Sequence, residues 1–308
     1  MKKKTILLIL IIIILLSSVL MILILRREKI VKIDEIEERI EISKTEGVIK
    51  NFYKKGENEP FTGKVVKDFE NDDVSFEFNV KNGKQDGISI TYYYPKEIQI
   101  KENYKNGKLD GNMTTYYKGG QIQSESTYEN GIPINEAKYY YEDGQPQVFI
   151  DYKNKIKKTY YRDGALYVEV RFLDNDEWKY EGEAKLYYQT GEILGIEQFK
   201  KGVLNGKSVY YYKNGKIQRK RFYKDGTLEG EDINYYENGN VAEKIFYKNG
   251  SLRNGRRITY YENGNIRTES FHDEQGLYHG EMKKYYENGK VKVIEIYEHG
   301  MFISKKEF

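Results

Sequence analysis

The sequence predicts an all-β fold: an elongated single-layer antiparallel sheet of tandem β-hairpin repeats, preceded by an N-terminal transmembrane helix. Three observations support this class. A unit of about 24 residues recurs along the chain, which indicates a repeat array. Tyrosine accounts for 31 of the 308 residues, and Asn-Gly dipeptides separate short runs of Tyr, Ile and Val, as in β-hairpins. One long apolar run stands near the amino end.

That apolar run, residues 5–25, is interrupted only by Ser17 and Ser18. A helix of this length spans roughly 30 Å, the thickness of the hydrocarbon core of a bilayer. Basic residues flank the run on both sides. We therefore expect residues 1–29 to be an uncleaved, single-pass signal anchor that binds the membrane; a cleaved signal peptide is the alternative. The positive-inside rule favours a repeat domain outside the cytoplasmic membrane, in the periplasm or at the cell surface.

Residues 30–46 form a charged segment between this run and the repeats. Its isoleucines at 30, 33, 36 and 40 recur at intervals of three and four. That spacing places them on one side of a helix, so the segment is predicted to be a helical juxtamembrane linker. Two heptads are too short to argue a coiled coil.

Residues 47–308 contain about nine or ten hairpin repeats, each written G-x4-Y-Y-x2-G-x-[I/V]-x5-Y-x2-G-x3-G. The leading glycines are expected to mark bulges or close backbone approaches. They are Gly87, Gly111, Gly182, Gly206, Gly230, Gly255 and Gly280.

Side chains alternate between the two faces of a strand, so the two tyrosines of a pair should face opposite sides. By the same count, the Ile or Val and the lone tyrosine six residues later should share a side. Stacking then aligns the first tyrosines as a candidate binding surface, to which the single tryptophan is added. These residues are Tyr92, Tyr116, Tyr187, Tyr211, Tyr235, Tyr260, Tyr285 and Trp178.

The array is irregular between residues 135 and 182. Asn135 replaces a leading glycine, and Pro146 replaces the isoleucine of its repeat. Farther on, an acidic insertion contains Asp176 and Glu177 beside Trp178. Two interpretations of the insertion are open: a binding loop or weak calcium site, or a solvated loop with the indole lying on the sheet.

The Tyr-Tyr-Glu-Asn-Gly units at 235–239, 260–264 and 285–289 resemble the bacterial variant of the MORN repeat, found in proteins labelled YwqK-type antitoxin-like. The resemblance covers about residues 47–308. It implies stacked β-hairpins that bind proteins or membranes. The standard MORN motif also occurs beside lipid-kinase domains, but no kinase motif accompanies it in this sequence.

The sequence offers little for catalysis. It has no cysteine, and without residues 1–29 it is nearly neutral and slightly acidic, so it gives no reason to expect nucleic-acid binding. The three histidines, His272, His279 and His299, have separations that form no familiar metal pattern. No nucleophile–base pair or phosphate-binding glycine loop is evident. We therefore predict a protein that is not an enzyme and needs no cofactor or metal.

The predicted function is that of a membrane-anchored repeat scaffold of the cell envelope. It would bind proteins or surface ligands through an aromatic β-sheet face, because ordered tyrosines provide contact area at low entropic cost. Self-association through open sheet edges is a further expectation. The alternative is an antitoxin-like protein that neutralises a toxin by direct binding.

Overall fold

The computed structural model describes residues 29–43, 47–70, 73–173, 176–252 and 255–308. The chain divides into two compact units, residues 1–134 and 135–308. Among the described residues, strands are the regular elements of both units, apart from one turn of 3-10 helix at Ile33–Glu35.

Unit 1 contains ten complete strands. From β4 to β7 consecutive strands pair antiparallel, β8 and β9 both pair with β7, and β9 pairs with β10. They are β1 (Ile30–Lys32), β2 (Ile36–Ser43), β3 (Gly47–Lys54), β4 (Gly63–Asp68), β5 (Val74–Lys81), β6 (Lys84–Tyr93), β7 (Glu97–Lys105), β8 (Lys108–Leu109), β9 (Gly111–Tyr116) and β10 (Ile122–Glu129).

Unit 2 holds the remaining strands, the first of which begins just before the boundary. The first six are β11 (Ile132–Tyr140), β12 (Pro146–Asp151), β13 (Ile156–Tyr160), β14 (Leu166–Leu173), β15 (Asp176–Tyr187) and β16 (Ile193–Lys200). The next six are β17 (Val203–Leu204), β18 (Gly206–Tyr211), β19 (Ile217–Lys224), β20 (Thr227–Leu228), β21 (Gly230–Tyr235) and β22 (Val241–Tyr247). The last five are β23 (Arg256–Tyr260), β24 (Ile266–Phe271), β25 (Gly280–Tyr285), β26 (Val291–Glu298) and β27 (Met301–Glu307).

The predicted combination of repeat sheet and transmembrane helix requires correction. The part of the chain that the structure describes is all-β, and it includes no helix with the length and apolar character needed to cross a membrane. The predicted helical run, residues 5–25, lies outside the described residues.

The helical interpretation of residues 30–46 is also wrong where the structure describes them. β2 pairs antiparallel with β3 over its whole length, with Arg39 opposite Asn51, and β1 pairs parallel with β4. The isoleucine spacing fitted a helix, but β-branched residues favour strands when a partner is available. The partner strand follows directly in the sequence, so backbone pairing decides the outcome.

A small hydrophobic core closes the start of unit 1. Val65 of β4 is fully buried, and it packs with Val31, Phe61, Phe78 and Val80. The ring of Phe78 lies 5.3 Å from that of Phe52 on β3, which brings the β2–β3 hairpin against this core. The terminal repeat thus differs from the others, as expected of a cap.

The repeats contain two kinds of Asn-Gly turn. In the first, the N–H of Gly215 donates to the Tyr212 carbonyl (2.9 Å) and the N–H of Tyr212 donates to the Lys216 carbonyl (2.8 Å). Only the glycine has a positive φ there, +79°. In the second, Asn249 and Gly250 both have positive φ, +51° and +74°, as a two-residue type I′ turn requires. The two turns occupy opposite ends of the hairpins.

Adjacent repeats are joined by the second tyrosine of each pair. The hydroxyl of Tyr212 donates to the carbonyl of Tyr235, the first tyrosine of the next repeat, at 2.6 Å. Tyr188 donates in the same way to Tyr211 at 2.8 Å. The other donors of this tyrosine ladder are Tyr93, Tyr141, Tyr161, Tyr236 and Tyr261.

A β-bulge in each regular hairpin changes which residues share a face. The register passes from Tyr210 opposite Arg219 to Tyr211 opposite Ile217, so β19 contains one extra residue. Ile217 therefore lies on the side of Tyr211, whereas Tyr223 lies on the side of Arg219. The prediction that the isoleucine and the lone tyrosine share a face is wrong for this repeat. The same shift recurs beside Tyr187, Tyr235, Tyr260 and Tyr285.

The irregular stretch after Asn135 keeps the antiparallel pairing. Asn135 has a positive φ of +59°, as do all of its glycine counterparts except Gly255. Pro146 stands at the first position of β12, opposite Tyr140, where the register shifts. A second buried cluster supports this region, formed by Ala137, Ile150 and Phe172.

Candidate functional site: the aromatic face of the second unit

The first tyrosines of the pairs in unit 2 lie on one side of the sheet, which we call the aromatic face. Alternation along β21 places Tyr235 on the same side as Ile233, and Ile233 pairs with Lys220 of β19. The Nζ of Lys220 lies 5.1 Å from the centre of the Tyr235 ring, as a cation–π contact requires. The structure thus aligns the predicted residues of this unit: Tyr187, Tyr211, Tyr235, Tyr260 and Tyr285.

These tyrosines are half-buried rather than exposed. Each pairs across its hairpin with an Ile or Val, as Tyr235 does with Val241. In unit 1, the predicted residues Tyr92 and Tyr116 are also half-buried, and the Tyr92 hydroxyl donates to Glu77 Oε1 at 3.3 Å. Burial and the neighbouring Glu77 charge raise the pKa of Tyr92. The tyrosines therefore contribute to sheet packing as well as to the surface.

Two phenylalanines are exposed on the aromatic face. Phe222 pairs with Lys207 and is 46% exposed, and Phe271 pairs with Arg256 and is 44% exposed. Sequence reasoning missed both, because it followed only the tyrosines; their signal was an aromatic residue just before the lone-tyrosine or histidine position. An open depression of about 610 Å³ lies in front of Phe222. Its side chains include Lys207, Lys220, Phe222, Glu229, Glu231 and Ile233.

The opposite side, which we call the charged face, is organised around Asp232. This carboxylate is fully buried and accepts hydrogen bonds from Arg219 Nε (2.8 Å), Arg219 Nη2 (2.5 Å) and Arg221 Nε (3.3 Å). Burial raises the pKa of Asp232, while the positive charge of Arg221 opposes the shift. Nearby, Tyr210 donates to Glu197, and burial followed by this contact raises the pKa of the phenol.

The charged groups of the next repeats on this face also bind one another. Glu243 accepts hydrogen bonds from Asn234 Nδ2 (2.8 Å) and Arg257 Nε (2.7 Å). Lys284 donates to Glu295 at 2.8 Å. Because these groups satisfy one another's hydrogen-bonding capacity, we assign them a role in stabilising the sheet.

Trp178 lies apart from the aligned tyrosines, on β15. The residue as a whole is 72% exposed, and Lys157 Nζ lies 3.4 Å from the centre of its ring. The Lys157 side chain is only 2% exposed, and this burial lowers the pKa of its amine. Asp176 of the acidic insertion is engaged locally, by the N–H of Trp178 (3.1 Å) and the Nζ of Lys179 (2.9 Å). The indole therefore covers a buried lysine, and the contacts of Asp176 stabilise the loop to which it belongs.

The leading glycines occupy the strained positions expected of them. Gly206 has a φ of +118°, and a Cβ there would lie 3.1 Å from the Cβ of Gln198. Gly255 lacks a positive φ, but its Cβ would lie 2.4 Å from the Leu252 carbonyl oxygen, so close packing excludes a side chain. The others also have positive φ: Gly87, Gly111, Gly182, Gly230 and Gly280.

Three side chains that are distant in sequence meet at the turns near the end of unit 2. Asp273, His279 and His299 each place a donor atom so that all three atoms lie within 4.8 Å of one another. His299 Nδ1 is 2.8 Å from Asp273 Oδ2. Burial raises the pKa of Asp273, but hydrogen bonds, including those from the Leu277 N–H and from His299, outweigh it and hold the pKa below its usual range. The separations of the histidines in the sequence did not predict that these three residues would be neighbours.

His272 does not belong to this group. It occupies the lone-tyrosine position, and its ring stacks on Tyr278 with the centres 4.7 Å apart. Burial lowers the pKa of His272.

No curated protein matches the chain by sequence. Among solved structures, the chain is similar to one in the crystal structure of TcdB2-TccC3-Cdc42, with 10% identity over 86% of this chain and 18% of that one, and a TM-score of 0.18. A chain of the Photorhabdus luminescens Tc holotoxin pore shows 11% identity over 85% of this chain and 16% of that one, with a TM-score of 0.18. ASR alternansucrase in complex with isomaltononaose shows 16% identity over 71% of this chain and 16% of that one, with a TM-score of 0.20. The chain spans less than a fifth of each, and TM-scores this low carry no weight for fold or function.

The profile described as a MORN repeat variant matches the chain seven times. The matched residues are 109–130, 135–154, 180–201, 204–225, 228–249, 253–274 and 278–299. These matches coincide with the stacked hairpins and their paired tyrosines. The chain belongs to the MORN-repeat family, in its variant form.

Proposed function

We propose that the chain is a non-enzymatic repeat scaffold that binds a protein partner through the aromatic face of its second unit. The observation that carries this proposal is the exposure of Phe222 and Phe271 on a face otherwise packed with half-buried tyrosines. Large aromatic side chains that stand in solvent on a rigid surface are typical of protein-binding surfaces.

A comparison of the two faces supports this choice. The charged face buries Asp232 and fills its hydrogen-bonding capacity with its own arginines. The aromatic face instead leaves Phe222 among mixed charges: Lys207 on β18, Lys220 on its own strand and Glu231 on β21. A hydrophobic centre with a polar rim is the usual anatomy of an interface between proteins. A small molecule would need a more enclosed cavity than this open depression provides.

The proposal is tested by photo-crosslinking of the full-length chain in the cells that produce it. A benzophenone amino acid is placed at Phe222, at Phe271 or, as the control, at Tyr286. Tyr286 is 43% exposed and lies on the opposite side from Tyr285. We expect adducts of one protein from the two phenylalanine positions and none from Tyr286. Equal adducts from all three positions, or adducts from Tyr286 alone, would refute a role for the aromatic face.

The same adducts identify the partner. A toxin protein among them would support the antitoxin-like alternative, and an envelope protein would support the scaffold. A second measurement is the yield of adduct after Phe222→Ala with the probe at Phe271. We expect this yield to fall severalfold while the circular dichroism spectrum is unchanged.

A further inference from the structure

The turns of adjacent repeats are linked by a regular hydrogen bond. The residue before a leading glycine accepts a bond from the backbone N–H of a turn residue 20 positions later in the chain. Asp86 Oδ2 accepts from Asn106 at 3.1 Å, and Glu229 Oε2 accepts from Asn249 at 2.8 Å. Asp110 and Glu181 act in the same way toward later turns. The residue before a leading glycine and the turn residue 20 positions later are therefore direct neighbours in space.

His279 and His299 replace the two partners of this bond in the last such pair. His279 precedes the leading Gly280, and His299 holds the turn position, with a positive φ of +47°. The contact from the His299 N–H to His279 Nδ1 is 3.5 Å, too long to hold the imidazole in place. Their rings lie 4.9 Å apart. Two substitutions at stacked positions thus bring two imidazoles together on the surface.

Asp273 is a third departure from the repeat at the same place. In the regular repeats a two-residue turn begins two positions after the lone tyrosine, as Asn249-Gly250 does after Tyr247, whereas the loop from Asp273 to Leu277 is longer. Asp273 Oδ1 accepts the N–H groups of Gln275 and Leu277, both at 2.9 Å. The buried carboxylate is thereby fixed, with Oδ2 directed at His299. A rigid acid beside two adjustable imidazoles is an arrangement that sheet stability does not require.

We propose that Asp273, His279 and His299 form a binding site for a divalent transition-metal ion of the zinc class. Two imidazole nitrogens and one carboxylate oxygen are ligands that Zn²⁺ accepts, and water can complete a tetrahedral shell. Ligands about 2.1 Å from such an ion lie about 3.4 Å apart. The three donor atoms, now within 4.8 Å, reach that spacing by rotation of the two exposed imidazoles.

The consequence of metal binding is a clamp between two neighbouring turns. His279 follows β24, and His299 belongs to the turn that joins β26 to β27. An ion held by both would stabilise this end of unit 2. The inference does not depend on the aromatic face or on the proposed protein partner.

The test is titration of the purified full-length chain, carrying no polyhistidine tag, with ZnCl2 by isothermal calorimetry. The two site variants, His279→Asn and His299→Asn, introduce the residue that Asn205 and Asn249 provide at the equivalent positions, so the hairpins should fold. The matched control is His272→Tyr, which restores the usual lone tyrosine. Thermal unfolding with and without ZnCl2 is the second readout.

We expect one Zn²⁺ per chain, at least a tenfold loss of affinity in each site variant, and unchanged affinity in His272→Tyr. Zinc should raise the melting temperature of the parent chain but not of the site variants. MgCl2, which prefers oxygen ligands, should bind no more tightly to the parent than to the variants. No zinc binding by the folded parent chain would overturn the proposal, and so would site variants that bind zinc as the parent does.

Discussion

The tyrosine ladder predicts a measurable cost for removing a single hydroxyl group. Tyr212→Phe deletes the 2.6 Å hydrogen bond to the Tyr235 carbonyl and leaves that half-buried acceptor without this donor. The net contribution of one such bond is about 1 kcal/mol. For a unit of this size, a loss of about 1 kcal/mol lowers the melting temperature by about 2–4 °C. The ring and its packing are retained, so the change isolates the hydroxyl.

The assay is urea denaturation, followed by tyrosine fluorescence and circular dichroism. The matched control is Tyr286→Phe at the same position of its repeat, where the hydroxyl makes no hydrogen bond to another described residue. We expect the free energy of unfolding to fall for Tyr212→Phe and to stay constant for the control. The double variant of Tyr188 and Tyr236, whose bonds share no partner, should lose about twice as much. Equal midpoints for Tyr212→Phe and Tyr286→Phe would refute the reasoning.

Three further changes test the sheet. Asp232→Ala leaves two arginines without their buried carboxylate and should lower the free energy of unfolding by about 3 kcal/mol in urea, whereas exposed Glu307→Ala should leave it nearly unchanged. Gly206→Ala, at a φ of +118°, should cost about 1–3 kcal/mol in the same assay, and an unchanged midpoint would contradict the strain. Trp178→Ala should expose the amine of Lys157 and raise the rate at which an acylating reagent modifies it, as measured by mass spectrometry. A rate equal to that of the parent would show that the indole does not shield the amine.

The sequence predicted the hairpins because their determinants are local. Asn-Gly turns and β-branched runs lie within a few residues of each other, and the spacing of the Tyr pairs defines the repeat. The two turn geometries were not separable in this way. Asn249-Gly250 and Asn263-Gly264 contain the same dipeptide, and only the length of the loop each one closes makes the asparagine φ positive in one of them.

The features that escaped prediction depend on pairing between distant residues. The extra residue beside Ile217 is visible only in the cross-strand register, and it reverses the face of everything that follows in its strand. β2 became a strand because β3 was available, which no periodicity inside the segment could show. His279 and His299 looked unrelated until the stacking fixed 20 residues as the distance between neighbouring turns.

These hydrogen bonds between repeats join each repeat only to the next one, and this makes the array modular. Tyr212 contacts the next repeat through Tyr235, and Glu229 does so through Asn249. Deletion or duplication of one whole repeat would therefore return each of these donors to an equivalent acceptor, whereas a deletion of any other length would separate them. The number of repeats can change without redesign of the rest. A feature that belongs to one repeat only, such as the cluster of Asp273 with two histidines, requires instead substitutions at individual positions of that repeat.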